Sequence, residues 1–182
     1  MNKKKICIFT SNRADYDLLK PLLKKLHQDK LILLQIVVSG SHFSIDHGST
    51  YKNIINDGFK INKRVDIKIK SNEYAVIEYI GISLKNYAYS LKKLNPNLVI
   101  LLGDRYETFS FAIASMFLKF PIAHIGGGET TLGAIDENLR HSITKMSYIH
   151  FVYHDIYKKR IMQMGEDPKK IYNYGSIGSE NI

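Results

Sequence analysis

The chain has 182 residues, 45% hydrophobic and 24% charged, with 26 Lys and Arg against 17 Asp and Glu for a formal net charge of +9. That length allows one good core, or one domain and the start of another, and the composition is that of a globular domain rather than a disordered or fibrous chain. A lone cysteine (Cys7) excludes a disulfide framework, the opening MNKKKICIFTSNR has too short an apolar run for a signal peptide, and no stretch approaches the ~18 apolar residues of a membrane span, so a cytoplasmic setting is expected.

Short apolar runs alternate with longer amphipathic segments. KICIFT (Lys5–Thr10) reads as a buried strand. ADYDLLKPLLKKLHQD follows as a helix with Leu18, Leu19, Leu22, Leu23 and Leu26 at helical spacing and Pro21 in its first turns. LILLQIVVSG is continuously apolar, as a strand covered on both faces should be. STYKNIIND reads as a short helix and the alternating INKRVDIKI as a more exposed strand. A long helix spans Glu73–Leu94, and NPNLVILLG ends it at Pro96 and begins another strand. ETFSFAIASMFLKF is apolar nearly all round and reads as a buried helix. PIAHIG, YIHFVY and KIYNYG read as strands, DENLRHSITKM and DIYKKRIMQMG as the helices between them. The expected fold is α/β: a three-layer, Rossmann-like parallel sheet with helices on both faces. Residues 1–175 form that domain, and 176–182 lack a closing apolar element, as at a domain boundary.

In an open parallel sheet, ligands bind beyond the carboxyl ends of the strands. Four polar junctions lie there: SNRADY, SGSHFSIDHG, GDRYE and GGGETTLGAIDENLRH. Neither G-x-G-x-x-G nor the P-loop pattern occurs, so this is not an ordinary dinucleotide or nucleoside-triphosphate site. Arg13 stands at the first junction, where a guanidinium beside a helix N-terminus suits a phosphate, or bridges to a surface acid. Asp104 follows a strongly apolar strand, either as a carboxylate tuned for proton transfer or as a cap on the next helix. Glu107 is expected on that helix's surface. Gly126–Gly128 let the backbone approach a ligand and take left-handed conformations, and Glu129 projects from the loop. Asp136 with Arg140, and Glu137 with His141, form i, i+4 pairs that read either as helix ion pairs or, for Asp136, as chemistry. His124, at a strand end, points into the core or at the site. No zinc spacing and no G-x-S-x-G elbow occurs, so no metal and no serine hydrolase are expected.

SNRADYDLLKPLL, GSHFSIDHGSTYKNI, LGDRYETFSFAIA, AHIGGGETTLGAIDENLRHSITKMSYIH and YNYGSIGSENI, in order along the whole chain, resemble the hydrolysing UDP-N-acetylglucosamine 2-epimerases of sialic acid biosynthesis. Closely related enzymes act on UDP-2,4-diacetamido sugars in legionaminic acid pathways, and the motifs do not separate the two. The resemblance implies one half of a glycosyltransferase-B-type fold, the N-terminal domain, with 176–182 beginning the connection to a second domain that supplies most uridine contacts. It implies Asp104, Glu129 and Asp136 as catalytic carboxylates, Arg13 near the diphosphate, and Asp17, His42, Arg105, His124, Arg140 and His141 as substrate-binding residues. Some relatives carry a catalytic glutamate directly after the His-Ile pair, where this sequence has Gly126, so Glu129 is the nearest acid. The implied reaction needs no cofactor: elimination of UDP to a glycal, then hydration to UDP and N-acetylmannosamine. A homo-oligomer, dimer or tetramer, is implied, and this chain alone is expected to fold without turning over substrate. The rival enzymatic reading is a non-hydrolysing 2-epimerase. The non-enzymatic one is a basic nucleotide-binding module, while the basic residues lack the aromatic interleaving of a nucleic-acid face.

Overall fold

In the computed structural model, which describes residues 2–178, seven strands form one parallel sheet in the order β3-β2-β1-β4-β5-β6-β7. The strands are β1 (Lys4–Thr10), β2 (Ile32–Ser39), β3 (Lys63–Val65), β4 (Leu98–Leu102), β5 (Ile122–Ile125), β6 (Ile149–Val152) and β7 (Ile171–Asn173). Between them run α1 (Arg13–Gln28), α2 (Tyr51–Asn56), α3 (Ala75–Leu94), α4 (Tyr106–Phe117), α5 (Ile135–Met146) and α6 (Asp155–Gln163), with short 3₁₀ turns at Gly40–Phe43 and Pro168–Lys170. The strand order reverses between β1 and β4, and a crevice opens at such a switch point.

Two cores sandwich the sheet. On one face Tyr16, Leu19 and Leu23 of α1 and Ile54 of α2 pack on Ile8, Ile36, Val38 and Ile100. On the other, Tyr87 and Leu91 of α3, Phe111 and Ala114 of α4 and Ile143 of α5 pack on Cys7, Phe9, Val37, Val99 and Leu101. The strands read as unbroken apolar runs because each is buried from both sides. Leu19 and Leu23 are wholly buried, and truncating either to Ala is expected to cost about 2–5 kcal/mol. Coverage is uneven. Over β4, β5 and β6 on the α1 side lies an apolar groove of about 430 Å³, walled by Leu22 of α1 and by Tyr174–Ile177.

Three expectations need correction. Pro21 lies in the middle of α1 rather than its first turns, so the Asp17 carbonyl lacks a helical N–H partner. The alternating INKRVDIKI yields only the three-residue edge strand β3, because β2 ends at Ser39, opposite Val65. Glu107 is 1% exposed in the first turn of α4 instead of on its surface. Of the stretch 176–182, residues 179–182 lie outside the described residues. Among the described residues no helix is long and apolar enough to cross a membrane.

Candidate active site

The junctions after β1, β2, β3 and β4 enclose a cleft of about 760 Å³ at the carboxyl edge of the sheet. Asn12 and Arg13 wall it after β1, Gly40 and Ser41 after β2, and Arg105 to Glu107 after β4. Asn12 caps α1, its side chain accepting the Asp15 N–H at 2.9 Å, while the Asp15 carboxylate accepts from the Asn12 amide at 2.6 Å and the Ser11 hydroxyl at 3.2 Å. This reciprocal cap fixes the turn that presents Arg13. Arg13 leans on Asp17 at 3.3 Å, with both side chains more than half exposed, so the contact contributes little and leaves the guanidinium available.

Beside Arg13, the Arg105 guanidinium forks onto the buried Glu107 carboxylate through two bonds of 3.2 Å. Glu107 therefore orients Arg105 from below. Gly40 is obligatory there, since a Cβ would meet the Ser11 carbonyl at 2.6 Å and Glu107 Oε1 at 3.0 Å, and its φ is +60. Asp15 faces Arg105, Glu107 and Asp104, and burial, partly offset by Arg105, pushes its carboxyl up to about 6.

Asp104 does not cap α4. The N-cap is Arg105, whose side chain makes no capping bond, and the Asp104 carboxylate receives the guanidinium of Arg140. Arg140, 6% exposed, also donates to the Glu129 carbonyl at 2.9 Å and the Thr131 hydroxyl at 3.1 Å, tying the glycine loop to the end of β4. Its partner is thus Asp104, not Asp136. Asp136 is exposed in the first turn of α5 and makes no hydrogen bond to another described residue. Glu137 accepts the Thr131 N–H at 2.7 Å and stands 3.8 Å from His141, a local structural role.

His42, in the 3₁₀ turn after β2, and His124, near the end of β5, sit beneath the rim. His42 is fully buried between the Thr10 and Thr50 hydroxyls, and burial pushes it down to about 4. His124, also fully buried, is pushed down to about 4 for the same reason and stands 2.8 Å from the Gly103 carbonyl and 3.2 Å from the Thr144 hydroxyl. A carbonyl only accepts, so Nε2 carries the proton and Nδ1 is the acceptor. Both rings brace the loops that carry the site.

The glycine run is shaped by protein rather than by open ligand space. A Cβ at Gly127 would stand 2.9 Å from the Thr144 hydroxyl, and one at Gly128 only 2.6 Å from the Tyr157 carbonyl. Gly126 and Gly128 have φ of +84 and +82. Glu129 emerges half-buried from this loop. The structure thus gathers Asp104, Arg140 and the Glu129 backbone at one point and Asp15, Arg105 and Glu107 at a neighbouring one. The sequence motifs single out neither Asp15 nor Tyr153, and they place Glu107 on the helix surface rather than beneath Arg105. The capping spacing of Asn12 and Asp15, and the position of Tyr153 just past β6, were the available signals.

Residues 24–182 match the family described as UDP-N-acetylglucosamine 2-epimerase. The chain belongs to this family. It is similar, at 42% identity, to the GDP/UDP-N,N'-diacetylbacillosamine 2-epimerase (hydrolyzing) of Campylobacter jejuni, a match covering 100% of this chain and 47% of the relative. At 36% identity it resembles the UDP-N,N'-diacetylbacillosamine 2-epimerase (hydrolyzing) of Legionella pneumophila, covering 98% of this chain and 48% of that protein. The chain spans about half the length of these family members, corresponding to their N-terminal half. The fold matches a crystal structure from Listeria monocytogenes described as a UDP-N-acetylglucosamine 2-epimerase, with a TM-score of 0.85 at 19% identity, over 97% of this chain and 46% of that one. At that identity the likeness is one of fold, and it extends over one half of the epimerase's glycosyltransferase-B-type chain.

Proposed function

We propose that the chain is the N-terminal half of a hydrolysing UDP-sugar 2-epimerase, converting a UDP-2-acetamido sugar and water to UDP and the free sugar inverted at C2. The observation that carries this reading is the Asp104–Arg140 pair at the end of β4, joined to the Glu129 loop beside the cationic cleft holding Arg13 and Arg105. The C2 proton has no adjacent carbonyl to acidify it. It becomes removable only as the C1–O bond to UDP breaks and C1 gains positive charge. Arg13 and Arg105 fit the departing diphosphate, with Glu107 holding Arg105 in place. Asp104 and Glu129 fit the removal of the C2 proton and the stabilisation of charge at C1, and then the guidance of water and a proton onto the glycal. Asp136 is kept as a third carboxylate, reaching substrate from α5. Asp17 supports Arg13, and His42, His124, Arg140 and His141 hold or line the binding surface.

No redox cofactor or metal enters this chemistry. The diacetylbacillosamine named for both relatives makes a diacetamido sugar the first substrate to test beside N-acetylglucosamine. A non-hydrolysing 2-epimerase would return a UDP-sugar instead, and a binding module would return no product. Residues 1–175 are the domain and 176–182 lead onward to the second half of a cytoplasmic, oligomeric enzyme that binds neither nucleic acid nor membrane. Incubating the full-length polypeptide with both UDP-sugars and identifying the released sugar tests the reading; recovery of only UDP-linked sugar would refute hydrolysis.

A further inference from the structure

Tyr153 follows β6 directly and lays its phenol over Gly126. A methyl group at that glycine would stand 3.1 Å from the phenol oxygen and 3.5 Å from the ring. Gly126 is buried with φ +84, so a side chain there is opposed by both the backbone and the tyrosine. The volume that a side chain at the end of β5 would fill is therefore taken by a hydroxyl arriving from β6. Partial burial, and then the negative charges of Glu129, Asp104 and Asp15, push the phenol up to about 12. Tyr153 is half-buried, and its hydroxyl makes no hydrogen bond to another described residue. The neighbouring guanidinium groups are already engaged, Arg140 by Asp104 and Arg105 by Glu107.

We propose that Tyr153 contacts substrate, its hydroxyl donating a hydrogen bond to an oxygen of the sugar (a ring hydroxyl or an acetamido carbonyl), while Gly126 keeps that position clear. The assignment rests on the epimerase reading for the identity of the ligand. The sugar rather than the diphosphate is its target because the negative charge that acts on the phenol, from Glu129, Asp104 and Asp15, disfavours a phosphate, whereas Arg13 and Arg105 line the cleft. A neutral donor among carboxylates can hold a sugar oxygen at any physiological pH without competing for the proton that moves.

Tyr153→Phe keeps the ring over Gly126 and removes only the oxygen. In the full-length polypeptide, calorimetric titrations with UDP and with each UDP-sugar, in an Asp104→Asn background that blocks turnover, compare chains with and without Tyr153→Phe. The expected result is unchanged UDP affinity and about fivefold weaker UDP-sugar affinity, the loss of one hydrogen bond. Without the Asp104→Asn change, kcat/KM falls by at least as much. Equal weakening of UDP and UDP-sugar would overturn the sugar-side assignment. Unchanged binding and turnover would overturn the contact itself. Should the otherwise wild-type protein turn over neither sugar, the epimerase reading fails separately, and the phenol is judged on binding alone, where identical UDP-sugar affinities, or no UDP-sugar binding at all, overturn it.

Discussion

Arg140 is a nearly buried cation whose guanidinium serves Asp104, the Glu129 carbonyl and the Thr131 hydroxyl together. Breaking such a group costs more than its net contribution, because the partners are left unpaired. Arg140→Met is expected to destabilise the domain by roughly 3 kcal/mol in urea titrations and to abolish turnover in the full-length polypeptide. Asp104→Asn keeps an oxygen for the guanidinium, so the fold should survive while kcat drops by about 100-fold or more, as for a positioned acid–base group. A loss below about tenfold would remove Asp104 from the chemistry. Asp15 gives a different signature. Its folded carboxyl, pushed up to about 6, lies above the unfolded value of 3.8, so the folded state holds the proton more tightly. Its stabilising contribution is therefore complete below pH 3.8 and is lost as pH rises through 6. Asp15→Asn should remove that opposing component of the pH dependence, read as a larger rise of unfolding free energy from about pH 4 to 7 than in the wild type.

At the scale of elements, β4, β5 and α5 form one unit through His124, which links the Gly103 carbonyl to Thr144. His42 and His124 are both pushed down to about 4, below the unfolded 6.5. Here the unfolded state binds protons first, so stability present above pH 6.5 is lost as pH falls toward 4, by up to roughly 3 kcal/mol per ring. Two histidines outweigh the opposing Asp15. Melting should therefore become easier on acidification over that range, and His124→Gln should reduce the slope; a wild-type stability flat from about pH 7 to 4 would contradict this. These elements were legible in sequence because strands buried on both faces show as unbroken apolar runs, and leucines at helical spacing mark α1. The wiring was not. Local spacing pairs Arg140 with Asp136, yet its partner lies 36 positions away. Glu107 looked superficial because the Arg105 fork that makes its burial tolerable is a matter of orientation, which spacing does not specify. The glycine loop was visible as a loop, but its crowding by Thr144, Tyr157 and Tyr153 arises only when α5, α6 and the end of β6 come together around it.

Over the whole molecule, Arg13 stands largely exposed at the edge of an open cleft, and an exposed arginine grips phosphate weakly. The 182-residue chain alone should melt cooperatively but show no tight UDP-sugar binding by calorimetry. Apolar side chains on α3 and at the end of α4 remain uncovered, with Ile77 at 69% and Phe117 at 76% exposure. We expect these faces to pair in at least a dimer, and Phe117→Glu to shift light-scattering mass toward the monomer. The most direct test of the central claim is the reaction itself, run in D2O with the full-length polypeptide, UDP-N-acetylglucosamine and UDP-N,N'-diacetylbacillosamine. Elimination followed by hydration must exchange the C2 proton with solvent. The expected products are UDP and a free sugar inverted at C2 and carrying deuterium there. A free sugar with unchanged configuration and its original C2 proton, or a product still joined to UDP, would contradict it.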